Sequence, residues 1–159
     1  MADIITASGT TVGISTGAVT SAASDTLAEF QALTYTDIGL VESLGEFGDD
    51  ASIVTFAAIG DGRVRKSKGA RDAGTMTITC AHDPHDAGQI AVEVAEATNN
   101  KYAFRIVLPD APTDSYTDSR IYFRALVASK RKNIGNNDNV VRNTYNCAID
   151  SQLYTAPSA

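Results

Sequence analysis

The chain has 159 residues, 13 Lys and Arg against 19 Asp and Glu, a net charge of −6, and 43% hydrophobic residues. Such a length fits one domain of the usual ~100–150 residues, and the composition is too apolar and too weakly charged for a disordered chain. No window approaches the ~18 apolar residues of a membrane span, and Met1, Ala2 and Asp3 open without the basic and then apolar run of a secretory leader, so cytoplasmic synthesis is expected.

Charge is segregated along the chain. Residues 1–50 hold eight acids (Asp3, Asp25, Glu29, Asp37, Glu42, Glu46, Asp49 and Asp50) and no Lys or Arg. The bases gather at Arg63, Arg65, Lys66, Lys68 and Arg71, and again at Lys130, Arg131 and Lys132. Separated acidic and basic surfaces are complementary to a second copy of the same chain, which favours head-to-tail contacts and hence rings or filaments. Solvated faces that never meet would give the same pattern. Cys80 and Cys147 fall within alternating runs and read as small core side chains; free thiols are expected in the cytosol, with a disulfide the lesser alternative.

In chain order, residues 11–15 are β-prone and 16–25 are a Ser/Thr/Ala/Gly-rich stretch expected to be an arm or loop. Weak helical spacing over 27–33 suggests one or two turns, followed by strand character over 35–41 and a loop over 42–50. Residues 52–59 read as a strand, Gly60, Asp61 and Gly62 as a turn, and 63–71 as the basic arm of a long hairpin or flexible loop. Strict alternation over 75–81, with Met76, Ile78 and Cys80 on one face, predicts a strand. Asp86 stands three residues before Gln89, the spacing of a capping box, after Pro84. Ala87, Ile90, Ala91, Val94 and Ala97 define one stripe with Glu93 and Glu96 off it, which predicts an amphipathic helix over about 86–98. Strands follow at 102–106, 121–129 and 143–150, and the tail after Leu153 is expected to be mobile.

These elements predict an all-β, or β-dominant α+β, fold: a two-sheet β-sandwich with one flanking α-helix. The expected organisation is a single domain, with a flexible N-terminal segment over about 1–25 and a C-terminal tail over about 154–159.

Motifs that could carry chemistry are weak. Gly13, Ile14, Ser15, Thr16 and Gly17 match G-x-S-x-G, but a nucleophile elbow needs a preceding parallel sheet and a following helix, and this one follows only twelve residues. His82, Asp83, His85 and Asp86 have metal-ligand chemistry but lie on a turn where Asp86 is needed as a cap. Asn136, Asn137, Asp138 and Asn139 lack the spacing and terminal Glu of a calcium loop. Gly60, Gly62 and Gly69 lack the order of a phosphate-binding loop, and the basic run lacks interleaved aromatics for reading nucleic acid. No catalytic, cofactor or metal residues are assigned, and an enzyme is not expected.

Three stretches, taken together, resemble the major tail tube protein of long-tailed, non-contractile bacteriophages. They are Phe30-Gln31-Ala32-Leu33-Thr34-Tyr35-Thr36-Asp37-Ile38-Gly39 with Leu44-Gly45-Glu46-Phe47-Gly48; Lys68-Gly69 with Asp72-Ala73-Gly74; and Asp83-Pro84-His85-Asp86-Ala87-Gly88-Gln89. With the late Tyr122-Phe123 strand they span about residues 30–130. The resemblance implies a β-sandwich assembled as hexameric rings that stack into a tube around a tape-measure protein, joined to tail-tip and terminator proteins. It implies assembly in the host cytoplasm and non-specific passage of genomic DNA through the lumen, without a membrane. A long inter-strand loop, here about residues 44–74, would reach the neighbouring ring. The inter-ring candidates are thus Arg63, Arg65, Lys66, Lys68 and Arg71 against Glu42, Glu46, Asp49 and Asp50. Alternative readings are the tube-forming component of a type VI secretion-like system and a β-sandwich decoration or adhesin module.

Overall fold

The structure is a computed structural model that describes residues 4–19 and 25–159. Its elements run β1 (Thr11–Ala18), α1 (Leu27–Ala32), β2 (Tyr35–Asp37), β3 (Val41–Ser43), β4 (Asp50–Phe56), β5 (Arg65–Asp72), β6 (Thr75–Ala81), α2 (Ala87–Glu96), β7 (Tyr102–Val107), β8 (Arg120–Asn133), β9 (Arg142–Ile149) and β10 (Tyr154–Ala156).

Period-two alternation builds the sheet. Met76, Ile78 and Cys80 of β6 and Asn143, Tyr145, Cys147 and Ile149 of β9 turn inward, while the residues between them are less buried or exposed. All pairing is antiparallel, in the order β2-β1-β7-β8-β9-β6-β3, with β10 also on β8. The 14-residue β8 organises this sheet. Its first half pairs with β7 from Val107↔Arg120 to Tyr102↔Ala125, and its second half with β9 from Ala125↔Ile149 to Asn133↔Arg142. The register shifts between Val127 and Ser129, an irregularity of the kind that bends a strand and adds twist. Val12, Ile14, Phe104 and Ile106 from one half meet Met76, Ile78, Tyr145 and Cys147 from the other in a single core. The two expected layers are thus continuous through β8, and the separate second sheet is the β4–β5 hairpin.

The middle of β8 is buried on both faces because two structures cover it. Phe123 and Ala125 enter the main core, while Tyr122 joins Phe30 of α1 and Ala103 in a smaller cluster edged by Tyr35 and Tyr154. Helix α1 is the short helical segment expected over 27–33, held by a Thr26 N-cap whose Oγ1 accepts from Glu29 N–H at 3.3 Å.

Helix α2 departs from expectation in its sidedness. An amphipathic helix ordinarily turns its apolar stripe to the core. Here the buried face is Gly88, Gln89, Val92 and Ala95, and Ile90 and Val94 are 47% and 56% exposed. The reason is close approach: a Cβ on Gly88 would sit 2.2 Å from the Asp37 carbonyl oxygen and 2.5 Å from Ile38 Cα. Only the smallest side chain lets the helix lie this near the end of β2.

Both ends are more structured than expected where they are described. Residues 16–18, read as an arm, continue β1, and residues 154–156, read as a mobile tail, form β10 in register Tyr154↔Tyr122 to Ala156↔Arg120. Residues 1–3 and 20–24 of the expected N-terminal segment lie outside the described residues. The lesser disulfide alternative is excluded by register: Cys80 pairs with Asn143 and Cys147 with Met76, four residues apart along adjacent strands. At ~3.4 Å per residue that separation is about 14 Å, twice the reach of a disulfide.

Candidate assembly surface

The β4–β5 hairpin carries the basic cluster. Ile53 pairs with Lys68, Val54 with Ser67, Thr55 with Lys66 and Phe56 with Arg65, so each strand's side chains share a face with their partners'. Lys66 and Lys68 stand beside Ile53 and Thr55, and Arg65 stands beside Val54 and Phe56. Asp61 shapes the turn: its carboxylate accepts from Arg63 N–H at 3.3 Å and from Arg65 Nε at 2.8 Å. Every residue from 62 to 68 is exposed, as are Ile53, Val54, Phe56, Ile59 and Val64. A two-stranded hairpin with both faces in water is marginal by itself. This one offers apolar side chains that lie outside the subunit's core and are more than half exposed.

The acidic candidates fall into two groups. Leu44 and Phe47 pack against the main core, Phe47 with its ring centroid 5.7 Å from that of Phe123, and this anchors the segment before the hairpin. Glu46, Asp49 and Asp50 are left exposed at the hairpin base, where Arg71 of β5 faces Ala51. Glu42 is different. Its carboxylate takes two hydrogen bonds from Arg142, at 2.6 and 3.3 Å, and is thereby occupied inside the subunit.

Asp86 and Gln89 form a junction that spans more than a cap. Asp86 Oδ2 accepts from Gln89 N–H at 2.8 Å as the N-cap of α2, and from Gly39 N–H at 3.1 Å. In a capping box the Gln89 side chain would return to the Asp86 backbone. Instead its amide donates to the carbonyls of Ala81 and Gly39, at 2.8 and 3.2 Å, and accepts from Asp83 N–H and Asn143 Nδ2. One buried amide thus ties β6, β9, the β2–β3 link and the start of α2 together.

The remaining motifs are structural. Ser15 is 2% exposed, and its hydroxyl donates to the Gly17 carbonyl and accepts from Ala103 N–H, which places it in the β1–β7 pairing and not on an elbow. His82 Nδ1 meets Asn143 Nδ2 at 3.0 Å, and Asp83 accepts from His85 N–H. Among the described residues no group of three or more His, Cys, Asp or Glu is placed to hold a metal ion, and no helix is long and apolar enough to cross a membrane.

Arg124 is a functional-looking residue that the sequence reading missed. It is 3% exposed and bonds Asp25 and Asp150, while Lys101 reaches Asp150 at 2.6 Å. Burial pushes the Asp25 carboxyl above its ordinary range despite Arg124, whereas the Lys101 hydrogen bond holds Asp150 below it. Its only signal was a charge inside an otherwise apolar strand.

The β4–β5 hairpin thus presents exposed basic and apolar side chains together. A search of curated protein sequences finds no match. Among solved structures, the chain is similar to a chain of the anti-feeding prophage baseplate, solved by six-fold symmetrised cryo-EM. That match has a TM-score of 0.73 and 8% identity, covering 99% of this chain and 98% of that one. It is also similar to the SPP1 tail tube, with a TM-score of 0.64 and 13% identity over 97% of this chain and 80% of that one. A crystal structure of an Hcp protein aligns with a TM-score of 0.43 and 10% identity, over 93% and 98% of the two chains. The model of the phage tail tube protein family matches residues 2–155. The chain belongs to the phage tail tube protein family, and it is a structural virion protein of the tail tube.

Proposed function

We propose that six copies close into a ring, that rings stack through the β4–β5 hairpin, and that genomic DNA passes non-specifically through the resulting lumen. The observation that carries this reading is the hairpin, whose apolar side chains are exposed and whose bases, apart from Arg65 on Asp61, are in no ion pair among the described residues. Burying a Phe, Ile or Val side chain contributes about 1.5–3 kcal/mol, so covering Ile53, Val54 and Phe56 is a substantial drive to associate. Arg63, Arg65, Lys66, Lys68 and Arg71 then set orientation by meeting acidic surface on the adjoining copy. Glu46, Asp49 and Asp50 remain candidate acidic partners, and Glu42 contributes through its pairing with Arg142 instead. The six-fold symmetry of the baseplate containing a similar fold supports the ring number.

A ring of six would carry six times the subunit's −6, and acid facing a bore repels phosphates instead of binding them, which lets DNA slide. Tape-measure, tail-tip and terminator proteins are the expected partners of such a tube, assembled in the host cytoplasm, and none of these roles requires catalysis. The test is negative-stain microscopy of the purified chain beside an Arg65→Glu, Lys66→Glu, Lys68→Glu variant. Hollow tubes from the native chain and a marked loss of stacked rings in the variant are expected. Compact particles from the native chain, or tubes of normal length and yield from the variant, would refute the reading.

A further inference from the structure

The apolar stripe of α2 faces solvent, although its composition is that of a buried face. Ala87, Ile90, Val94 and Ala97 are all exposed, on the side of the helix opposite Gly88, Gln89, Val92 and Ala95. A continuous exposed apolar stripe marks an interaction surface. Its electrostatic setting narrows the occupant. Between Arg71 and Lys101 the chain has no Lys or Arg, yet Asp83, Asp86, Glu93 and Glu96 cluster on and beside α2. Among the described residues, none of these four is in an ion pair.

The hairpin tip has the opposite character. From Phe56 to Lys68 it combines Phe56, Ile59 and Val64 with four bases, Arg63, Arg65, Lys66 and Lys68, and only Asp61 as an acid. An apolar ridge flanked by acid and an apolar tip flanked by base are complementary in both respects, and the apolar residues of each are exposed on the subunit.

We propose that the outer face of α2 is the docking site for the β4–β5 hairpin tip of a second copy of this chain. This rests on the tube reading and names the receiving surface within it. Phe56 and Ile59 lie against Ile90 and Val94, and Arg63 and Arg65 approach the carboxylates around the helix. Ile90 and Val94 are half exposed and belong to neither core cluster, and the contact covers them.

The test mixes two chains, one carrying Ile59→Cys and the other Ala97→Cys, under tube-forming conditions with a short bis-maleimide linker. Cys80 and Cys147 are buried and give a low background. A cross-linked dimer that needs both chains is the expected product. In parallel, Ile90→Asp with Val94→Asp should abolish tubes while leaving the Tm of the subunit unchanged. Tubes that form without the Ile59–Ala97 product, or that survive the double Asp change, overturn the docking site and leave the tube reading standing. Cross-linking of Ala97→Cys to Ile5→Cys instead would assign the stripe to the N-terminal segment of a neighbour and likewise overturn the proposal. Failure of the native chain to form any oligomer overturns both.

Discussion

The Arg124 guanidinium reaches the Asp150 carboxylate at 3.1 Å from a position only 3% exposed, and it also grips Asp25 through both of its terminal nitrogens. Removing one member of a buried pair leaves an uncompensated charge, which costs roughly 3–5 kcal/mol. Arg124→Ala is therefore expected to lower stability by about that much, read as a fall in denaturant midpoint at unchanged m. A loss below about 1 kcal/mol would show that water relieves Asp25.

The same cluster fixes a pH response. Asp150 is held below its ordinary 3.8 chiefly by the Lys101 hydrogen bond. A carboxyl whose pKa is lowered on folding adds stability above its unfolded value and loses it as pH falls through the folded one. Asp25, raised by burial, works in the opposite sense and favours the fold as it takes up a proton. Asp150→Asn should thus flatten the decline of Tm between about pH 5 and pH 2; an unchanged acid slope would contradict the assignment.

Gly88→Ala sets helix propensity against space. Ala is favoured over Gly by about 1 kcal/mol inside a helix, but the new Cβ meets the Asp37 carbonyl at 2.2 Å. Overpacking of this kind costs about 1–3 kcal/mol, so a net loss in thermal stability is expected. Gly62→Ala, with nothing within 4 Å of its added Cβ, is the control that should show almost no change.

Gln89→Leu keeps the volume and removes every hydrogen bond that the Gln89 side chain makes at the junction. It strips partners from Asp83 N–H and the Ala81 and Gly39 carbonyls, while Asn143 Nδ2 keeps its contact with His82 Nδ1. Each buried group left unpaired costs about 1–3 kcal/mol before relaxation. A loss larger than that of Asp86→Ala is expected in chemical denaturation, and equal losses would reduce Gln89 to an ordinary helix residue.

How far the fold was legible depends on which physical signal each element uses. β6 and β9 declare themselves because one of their faces is apolar, and period two fixes which residues share it. α2 declares its helical period but not its orientation: the stripe at Ile90 and Val94 says that one face is apolar, not what covers it. The face that packs is built from Gly88, Gln89, Val92 and Ala95, where steric closeness and one satisfied amide replace bulk. Arg124 was opaque because its partners come from 99 and 26 residues away. At the candidate surface, charge segregation exposed the basic hairpin, yet only the folded chain reveals that Glu42 belongs to Arg142, 100 residues on.

Phe56→Ser separates stability from assembly within the hairpin. Phe56 is 66% exposed and pairs across the ladder with Arg65, so the isolated subunit has little packing to lose. Surface changes of this kind usually stay within ~0.5 kcal/mol of the native stability. The Tm of the subunit should therefore hold, while tube formation followed by light scattering should slow and reach a lower plateau. A side chain that matters only between copies produces that split. If Phe56→Ser lowers Tm and assembly together, the residue supports its own fold, and the hairpin's apolar face is not an interface.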